Sequence, residues 1–127
     1  MKSRFVFVSL AALFALVIVT ASGCKKEGIG GDSTIAVLVK HHEQLIPHAK
    51  VYIKYGAKEF PGATLTNYDD SVTTDAAAHA HIEELVKGDY YLYGIGYDST
   101  ISSEVSGGIA VKLSKGTELE VDVPVTE

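Results

Sequence analysis

The chain has 127 residues, a formal net charge of −5 and a single cysteine. The acidic balance argues against nucleic acid as a partner, because nucleic-acid binding requires a basic face. One cysteine cannot form an internal disulfide, so apolar burial must hold together the single small domain of about 100 residues that follows the N-terminal leader.

The first 23 residues have the order of parts of a secretory signal peptide. Lys2 and Arg4 give a positively charged start, the apolar run from Phe5 to Val19 is interrupted only by Ser9, and small residues precede Cys24. A cleavable signal peptide is built in this way, whereas a membrane span needs roughly 20 apolar residues. The sequence therefore predicts that residues 1–23 are removed.

The cysteine after this leader needs an explanation of its own, because it is a lone thiol in a secreted chain. Ala21-Ser22-Gly23-Cys24 resembles the lipobox of bacterial lipoproteins, although Leu is the common residue at the position of Ala21. The resemblance implies that Cys24 becomes the mature N-terminus and carries fatty acyl chains such as palmitate, which anchor the protein to a membrane. The alternative is an uncleaved signal anchor with an incidental cysteine.

Residues 24–32 are expected to form a flexible tether. Three glycines and four charged residues lie between Lys25 and Asp32, and such a composition buries little surface. Lys25 stands where a signal for retention at the inner membrane usually has Asp. By resemblance to lipoprotein sorting rules, we expect a lipid-anchored protein of the cell envelope at the outer membrane, and the sequence leaves open whether it faces the periplasm or the outside.

The remaining chain, residues 33–127, alternates between apolar and polar side chains almost throughout. A period of two is typical of strands, and it predicts them at 33–40, 48–55, 71–75, 79–84, 89–97, 107–114 and 117–125. The clearest inward-facing sets are Ile35, Val37 and Val39; Ala49, Val51, Ile53 and Tyr55; Ile109, Val111 and Leu113; and Leu119, Val121, Val123 and Val125. Seven short strands between turns indicate an all-β, antiparallel β-sandwich. Pro124 implies that the last strand lies at a sheet edge or that its backbone is unpaired at that position.

The block from Thr74 to Asp98, TDAAAHAHIEELVKGDYYLYGIGYD, resembles the carboxypeptidase regulatory-like domain, a prealbumin-type (transthyretin-like) sandwich. The matching residues are Thr74, Asp75, Ala80, Leu85, Gly88, Tyr90 and Leu92, and the upstream Pro47-His48-Ala49-Lys50-Val51-Tyr52 fits the same pattern. Ala78 replaces a glycine that usually makes the turn, and Ile82 replaces a phenylalanine. The resemblance implies that Leu85 and Tyr90 are buried around a turn at Gly88, with the tyrosine hydroxyl bonded to nearby backbone.

The same resemblance sets the direction of two histidines. With Ala80 and Ile82 inward, His79 and His81 face outward together, which is how some zinc sites begin. Glu83 continues on their face, but it lies about 13 Å from His79 at 3.3 Å per residue, so a third ligand would have to come from a neighbouring strand. We favour a solvated strand face and predict no metal site, with His79 and His81 as the alternative.

Three further histidines lie in the predicted first hairpin, at His41, His42 and His48. A turn there is expected to be polar whatever its function. We interpret all three as residues of a hydrated turn, with a possible response to pH because histidine titrates near neutrality.

Three tyrosines share the outward face of the strand at 89–97 with Ile95, namely Tyr91, Tyr93 and Tyr97. That is more apolar surface than a solvated sheet usually shows. Either the long connection 56–70 folds back over them with Phe60, Leu65 and Tyr68, or they form an open face for a glycan or a protein. We favour cover, because a free loop would not need those apolar residues.

No catalytic site and no cofactor are predicted. Enzymes of the transthyretin-like family that hydrolyse hydroxyisourate end in Tyr-Arg-Gly-Ser and use paired His and Arg, whereas this chain ends in Val-Thr-Glu and has no arginine after Arg4. It also has no Gly-x-Ser-x-Gly elbow and no glycine-rich phosphate loop. Two functions remain: a lipid-anchored structural or interaction module that docks to an envelope protein, or a ligand-binding lipoprotein that uses the tyrosine face or the histidine pair.

Overall fold

Eight strands make up the part of the chain that the computed structural model describes, residues 26–127; the predicted signal peptide and Cys24 lie outside it. They are β1 (Ile29–His41), β2 (Gln44–Leu45), β3 (Lys50–Tyr55), β4 (Asp70–Thr73), β5 (His79–Leu85), β6 (Gly88–Asp98), β7 (Ser103–Leu113) and β8 (Glu118–Pro124). A 3₁₀ turn at Leu65–Asn67 lies between β3 and β4. Within residues 26–127, no helix has the length and apolar character needed to cross a membrane. The all-β prediction is confirmed, and only the two-residue strand β2 was not expected.

The strands form two sheets of four. In the first sheet, β1 pairs antiparallel with β5 and with β2, and parallel with β8. The second sheet has the order β4-β3-β6-β7 and is antiparallel throughout. The single parallel pair departs from the expected all-antiparallel arrangement for a topological reason. Strand β7 ends where β1 begins, so β8 starts beside Thr34 and runs in the same direction as β1. The amide of Thr34 donates to the carbonyl of Thr117 at 2.9 Å.

The core lies between the two sheets and is built from the alternating residues that the sequence places inward. Ile35, Val37 and Val39 of β1 are fully buried against the second sheet. The other fully or almost fully buried core residues include Ala49, Val51, Ile53, Leu85, Tyr90, Leu92, Leu113, Val121, Val123 and Val125. Tyr55, Ile109, Val111 and Leu119, which were also expected inward, pack on this cluster but are only partly buried. Among residues 26–127, β8 forms a ladder with β1 alone, so Pro124 lies on an edge strand, as expected.

A tyrosine joins the two sheets at the N-terminal end of the sandwich, where β1 begins. The buried hydroxyl of Tyr90 accepts a hydrogen bond from the amide of Gly28 at 2.9 Å and donates to the carbonyl of Val86. Val86 in turn donates its amide to the carbonyl of Gly28 at 2.8 Å. The expected burial of Tyr90 is therefore confirmed. Gly28–Asp32, expected as part of a flexible tether, are instead held against the domain, and β1 begins at Ile29 rather than at residue 33.

The opposite, distal end of the sandwich carries the turns between β1 and β2, before β5, and between β6 and β7. Ala78, which replaces the usual glycine, adopts a left-handed conformation with φ of 65°. Its turn nevertheless closes, because the amide of Ala78 donates to the carbonyl of Asp75 at 3.0 Å and the amide of His79 donates to the Asp75 carboxylate at 2.9 Å. Ala78 therefore lies in a closed turn, at the position where the family pattern usually has glycine.

Candidate functional site

The tyrosine face of the second sheet is largely covered by the loop between β3 and β4. The ring of Phe60 lies 5.7 Å from that of Tyr91 and 5.3 Å from that of Tyr93, measured between centroids. Tyr68 stacks on Tyr93 at 5.7 Å, and burial raises the pKa of Tyr68 to about 12. Tyr93 is consequently buried and Tyr91 half-buried. The three tyrosines therefore do not form one open binding face.

The covering loop is attached to the sheet through backbone contacts. Asp69 donates its amide to the carbonyl of Ile53 at 2.9 Å, and its carboxylate accepts from the amide of Tyr55 at 2.7 Å. The hydroxyl of Tyr68 donates to the carbonyl of Gly62 at 2.8 Å and closes the loop on itself. Leu65, which was also expected to cover the face, remains exposed.

The two histidines of β5 face outward as predicted and lie across β1 from the carboxylates of β8. Ala36 is the register partner of both His81 and Glu120, and Nε2 of His81 lies 3.5 Å from Oε1 of Glu118. Within residues 26–127, no three His, Cys, Asp or Glu side chains are grouped so as to hold a metal ion. The arrangement resembles a solvated strand face with one contact between His81 and Glu118 more than a zinc site.

A third histidine occupies a position that sequence reasoning missed. His41 is buried, and its Nδ1 lies 2.8 Å from Oδ2 of the buried Asp98. The interpretation of His41 as part of a hydrated turn is therefore wrong, whereas His42 and His48 are exposed as expected. The sequence does contain the signal, because His41 continues the two-residue period of the buried Val37 and Val39.

The environment of this pair is asymmetric. Asp98 accepts hydrogen bonds from the Thr100 hydroxyl and amide as well as from His41. The Thr100 hydroxyl, followed by the His41 imidazole, holds the pKa of Asp98 below its usual value. The remaining ring nitrogen of His41, Nε2, is buried without a hydrogen-bond partner in the described part of the chain. Because His41 lies on β1 and Asp98 on β6, their hydrogen bond links the two sheets.

Asp98 also lines an open cleft at the distal end, which we call the distal cleft. Its volume is about 520 Å³, and its walls are β2 with the segment that follows it, the turn before β5, and the end of β6 with the turn that follows it. Its exposed lining residues are Gln44, Leu45, Pro47, His48, Ala76, Tyr97 and Ser99. Tyr97 is 56% exposed and Leu45 is 40% exposed. Of the three predicted tyrosines, only Tyr97 is presented to solvent, and it is presented beside amide, imidazole and hydroxyl groups.

No protein-family model matches this chain, and none of the curated proteins matches it. The resemblance of the Thr74–Asp98 block therefore stays a prediction. Among solved structures, the fold is similar to that of a protein from Pseudomonas aeruginosa provisionally described as carbohydrate binding, with a TM-score of 0.52. The two sequences are 13% identical, and the match covers 83% of this chain and 93% of that chain. At this identity the likeness shows the fold alone, an all-β sandwich.

Proposed function

We propose that the chain is a non-catalytic β-sandwich module, anchored to the outer membrane by lipid on Cys24, that binds an envelope partner at the distal cleft. The observation that carries the proposal is the clustering of exposed apolar side chains around this end. Leu45 and Tyr97 line the cleft, and Ile101, which is 44% exposed, lies in the adjoining β6–β7 turn. Exposed apolar groups with a polar rim are typical of interaction sites.

The direction of β1 supports this arrangement. The strand has 13 residues and runs from the N-terminal end to the distal end, a span of roughly 40 Å at about 3.3 Å per residue. A lipid on Cys24 would hold the N-terminal end at the membrane and present the distal cleft away from it. A partner could then reach the cleft without contacting the bilayer.

The His41–Asp98 pair supports a non-catalytic role. A carboxylate that orients a histidine is also found in hydrolases, where the second ring nitrogen must reach a nucleophile or a substrate. Here Nε2 of His41 is buried and does not line the cleft. The pair stabilises the walls of the distal cleft instead of performing chemistry there.

A carbohydrate is a second candidate partner, favoured by the chemistry of the cleft. The exposed ring of Tyr97 can stack on the apolar face of a sugar, and Gln44, His48 and Ser99 can hydrogen-bond its hydroxyls. The provisional description of the similarly folded Pseudomonas aeruginosa protein as carbohydrate binding supports this candidate. A protein partner would instead use Leu45, Tyr97 and Ile101 together.

The test is a pull-down of the acylated protein from its own envelope, with wild type compared with Tyr97→Ala. Loss of a captured protein or of captured polysaccharide in Tyr97→Ala supports the proposal and identifies the class of partner. Ile29→Ser is the matched control, because Ile29 is 68% exposed at the opposite end. Equal capture by wild type and Tyr97→Ala would contradict a site at the distal cleft.

The lipid anchor has its own test. The intact mass of the wild type is expected to show loss of residues 1–23 and a diacyl or triacyl addition on Cys24, whereas Cys24→Ala should remain unprocessed or become soluble. An unmodified thiol on a correctly secreted protein would contradict the anchor without affecting the fold.

A further inference from the structure

We propose that the end of the sandwich nearest Cys24 is a docking surface for the headgroups of anionic phospholipids. We call this surface the basal face, and it is formed by four exposed lysines in the connections at the N-terminal end, Lys26, Lys58, Lys87 and Lys115. The inference rests on the lipid anchor proposed above and names what the anchored domain contacts. It is separate from the distal cleft, which lies at the other end of the molecule.

The chain that follows the lipidation site is fixed to the domain from Gly28 onward. Gly28 donates its amide to the Tyr90 hydroxyl at 2.9 Å, and its carbonyl accepts from the amide of Val86 at 2.8 Å. Gly31 packs so closely on the backbone of Leu85 that a Cβ at Gly31 would clash with it. The segment that leads into β1 therefore does not act as a flexible linker.

The side chain of Glu27 extends this contact by one residue towards the anchor. A Cβ at Gly88 would lie 2.8 Å from Oε1 of Glu27, and a Cβ at Gly56 would lie 3.0 Å from Oε2. Glu27 is correspondingly half-buried. The acidic residue nearest to Cys24 thus lies on the domain instead of extending towards the bilayer.

The short chain between the anchor and Glu27 limits how far the basal face can lie from the bilayer. Only Lys25 and Lys26 separate Cys24 from Glu27, and three extended residues span at most about 11 Å. This distance is comparable with the Debye length of about 8 Å at physiological ionic strength. Charges on the basal face are therefore attracted by an anionic surface, whereas those at the distal end, roughly 40 Å away along β1, are screened from it.

Each connection at this end of the sandwich contributes one lysine to the basal face. Lys26 precedes β1, Lys58 follows β3, Lys87 lies between β5 and β6, and Lys115 lies between β7 and β8. All four are exposed, and within residues 26–127 none of them forms a salt bridge. Lysines held close to an anionic bilayer each add to the attraction between protein and membrane.

Some of the carboxylates near this end have partners within the domain. Asp89 is the register partner of Lys112, and Oε1 of Glu118 lies 3.5 Å from Nε2 of His81. Lys25, next to the anchor, adds a further positive charge. The carboxylates that offset part of the lysine charge are those of Glu27, Asp32, Glu59 and Glu84. The lysines of the basal face together with Lys25 outnumber these four groups.

The distal end has the opposite charge. Its connections and the C-terminal segment contain the exposed Glu43, Asp75 and Glu127, and no lysine or arginine. An anionic surface attracts the basal face and repels acidic groups, so both contributions favour the same orientation of the domain. The charge asymmetry therefore runs in the direction that the anchor already gives to β1.

The first experiment measures which end lies at the headgroups. A fluorophore is attached to Ser114→Cys, next to Lys115, or to Ser99→Cys at the distal end, in the full acylated chain, where the thiol of Cys24 is already blocked. Both serines are exposed. The protein is bound to vesicles of phosphatidylcholine alone, or of equal parts phosphatidylcholine and phosphatidylglycerol, each with a nitroxide quencher on the headgroup.

The label at Ser114→Cys should be quenched more strongly on the anionic vesicles than on phosphatidylcholine. Salt at about 1 M should remove this difference, because the Debye length then falls to about 3 Å. The label at Ser99→Cys should remain largely unquenched on both kinds of vesicle, since it lies at the far end of β6.

The second experiment tests the lysines themselves. Lys87→Gln combined with Lys115→Gln should lose most of the extra quenching on anionic vesicles. Lys40→Gln combined with Lys50→Gln is the matched control, because it removes the same charge from the distal ends of β1 and β3. This control should behave as the unsubstituted chain does.

Three outcomes would overturn the inference. The first is equal quenching at Ser114→Cys on the two kinds of vesicle, and the second is equal quenching of the two labels. The third is an equal loss in the two pairs of lysine variants. Flotation of the vesicles reports the anchor separately: a protein that does not float with them has no anchor, and the basal face then has no bilayer to contact. Failure at the distal cleft would appear only in the comparison with Tyr97→Ala.

Discussion

His41 of β1 and Asp98 of β6 join the two sheets at the distal end, with 2.8 Å between Nδ1 and Oδ2. Tyr90 of β6 does the same at the N-terminal end through Gly28 and Val86. At each end of the apolar core, a buried side chain of β6 therefore makes a polar contact with the first sheet. Buried polar groups of this kind specify one arrangement of the sheets because their loss leaves partners unsatisfied.

Removal of the Asp98 carboxylate should destabilise the domain. In Asp98→Ala, Nδ1 of His41 is left buried without an acceptor, and the Thr100 turn loses its support. We expect a lower Tm and a lower midpoint in urea. Thr100→Val is the matched control, because it removes only the hydroxyl contact and should have the smaller effect. Equal midpoints for wild type and Asp98→Ala would show that the pair does not stabilise the fold.

The carboxylate of Asp98 also predicts that the stability of the domain falls at acidic pH. The Thr100 hydroxyl and then His41 lower the pKa of Asp98, and backbone amides of His79 and Ala77 lower the pKa of Asp75. A lowered folded-state pKa contributes stability that is fully present above the unfolded-state pKa of about 3.9 and is lost as pH falls through the folded-state value. Urea midpoints measured from neutral pH down to about pH 2 should therefore fall less steeply for Asp98→Asn than for the wild type. Parallel curves would contradict this assignment.

Two substitutions of Tyr90 separate its ring from its hydroxyl. Tyr90→Phe leaves the Gly28 amide and the Val86 carbonyl without their partner and should cost about 1–3 kcal/mol. Tyr90→Ala also removes a fully buried ring and should cost about 3–5 kcal/mol. Tyr97→Ala is the control and should remain within about 0.5 kcal/mol, since Tyr97 is largely exposed. Chemical denaturation gives all three values, and equal losses for Phe and Ala would show that the ring contributes little.

The cover over the second sheet predicts energetic coupling between the loop and β6. Phe60→Ala and Tyr93→Ala should each destabilise the domain, and their double-mutant cycle should give a coupling of about 0.5–1.5 kcal/mol, as for other aromatic pairs. Tyr91→Ala should also destabilise, because its ring lies under Phe60. Leu65→Ala, in the same loop but exposed, should have little effect. Strictly additive losses for Phe60 and Tyr93 would mean that the loop does not stabilise the sheet.

The histidine pair of β5 predicts no response to zinc. His81 contacts Glu118 at 3.5 Å, but His79 and His81 face solvent without a grouped third ligand among the described residues. Addition of Zn²⁺ should leave the Tm unchanged, both for the wild type and for the double variant His79→Ala with His81→Ala. A zinc-dependent rise that the double variant loses would reveal a site, and linkage would relate the rise to its affinity.

Alternation along the chain was sufficient to predict strands and inward faces, as in Ile35, Val37 and Val39. A side-chain period of two has no other structural explanation, and the buried faces confirm it. The direction of Tyr90 followed from the resemblance of its block to a known domain and is likewise confirmed. The conformation of the turn at Ala78 did not follow from that resemblance, because alanine replaces the usual glycine there, and the structure shows it to be left-handed.

The sequence by itself determined the strands and the sandwich class, because both depend on neighbours in the chain, and the resemblance of one block to a known domain predicted the outward direction of His79, His81 and the tyrosines. The tertiary structure decided the rest. It placed Phe60 over Tyr93, brought His41 to Asp98 across 57 positions of sequence, and set β8 parallel to β1. Contacts between distant segments depend on how the sheets stack and which edges stay open, and local periodicity contains no information about either. For that reason the distal cleft became visible only in the folded chain.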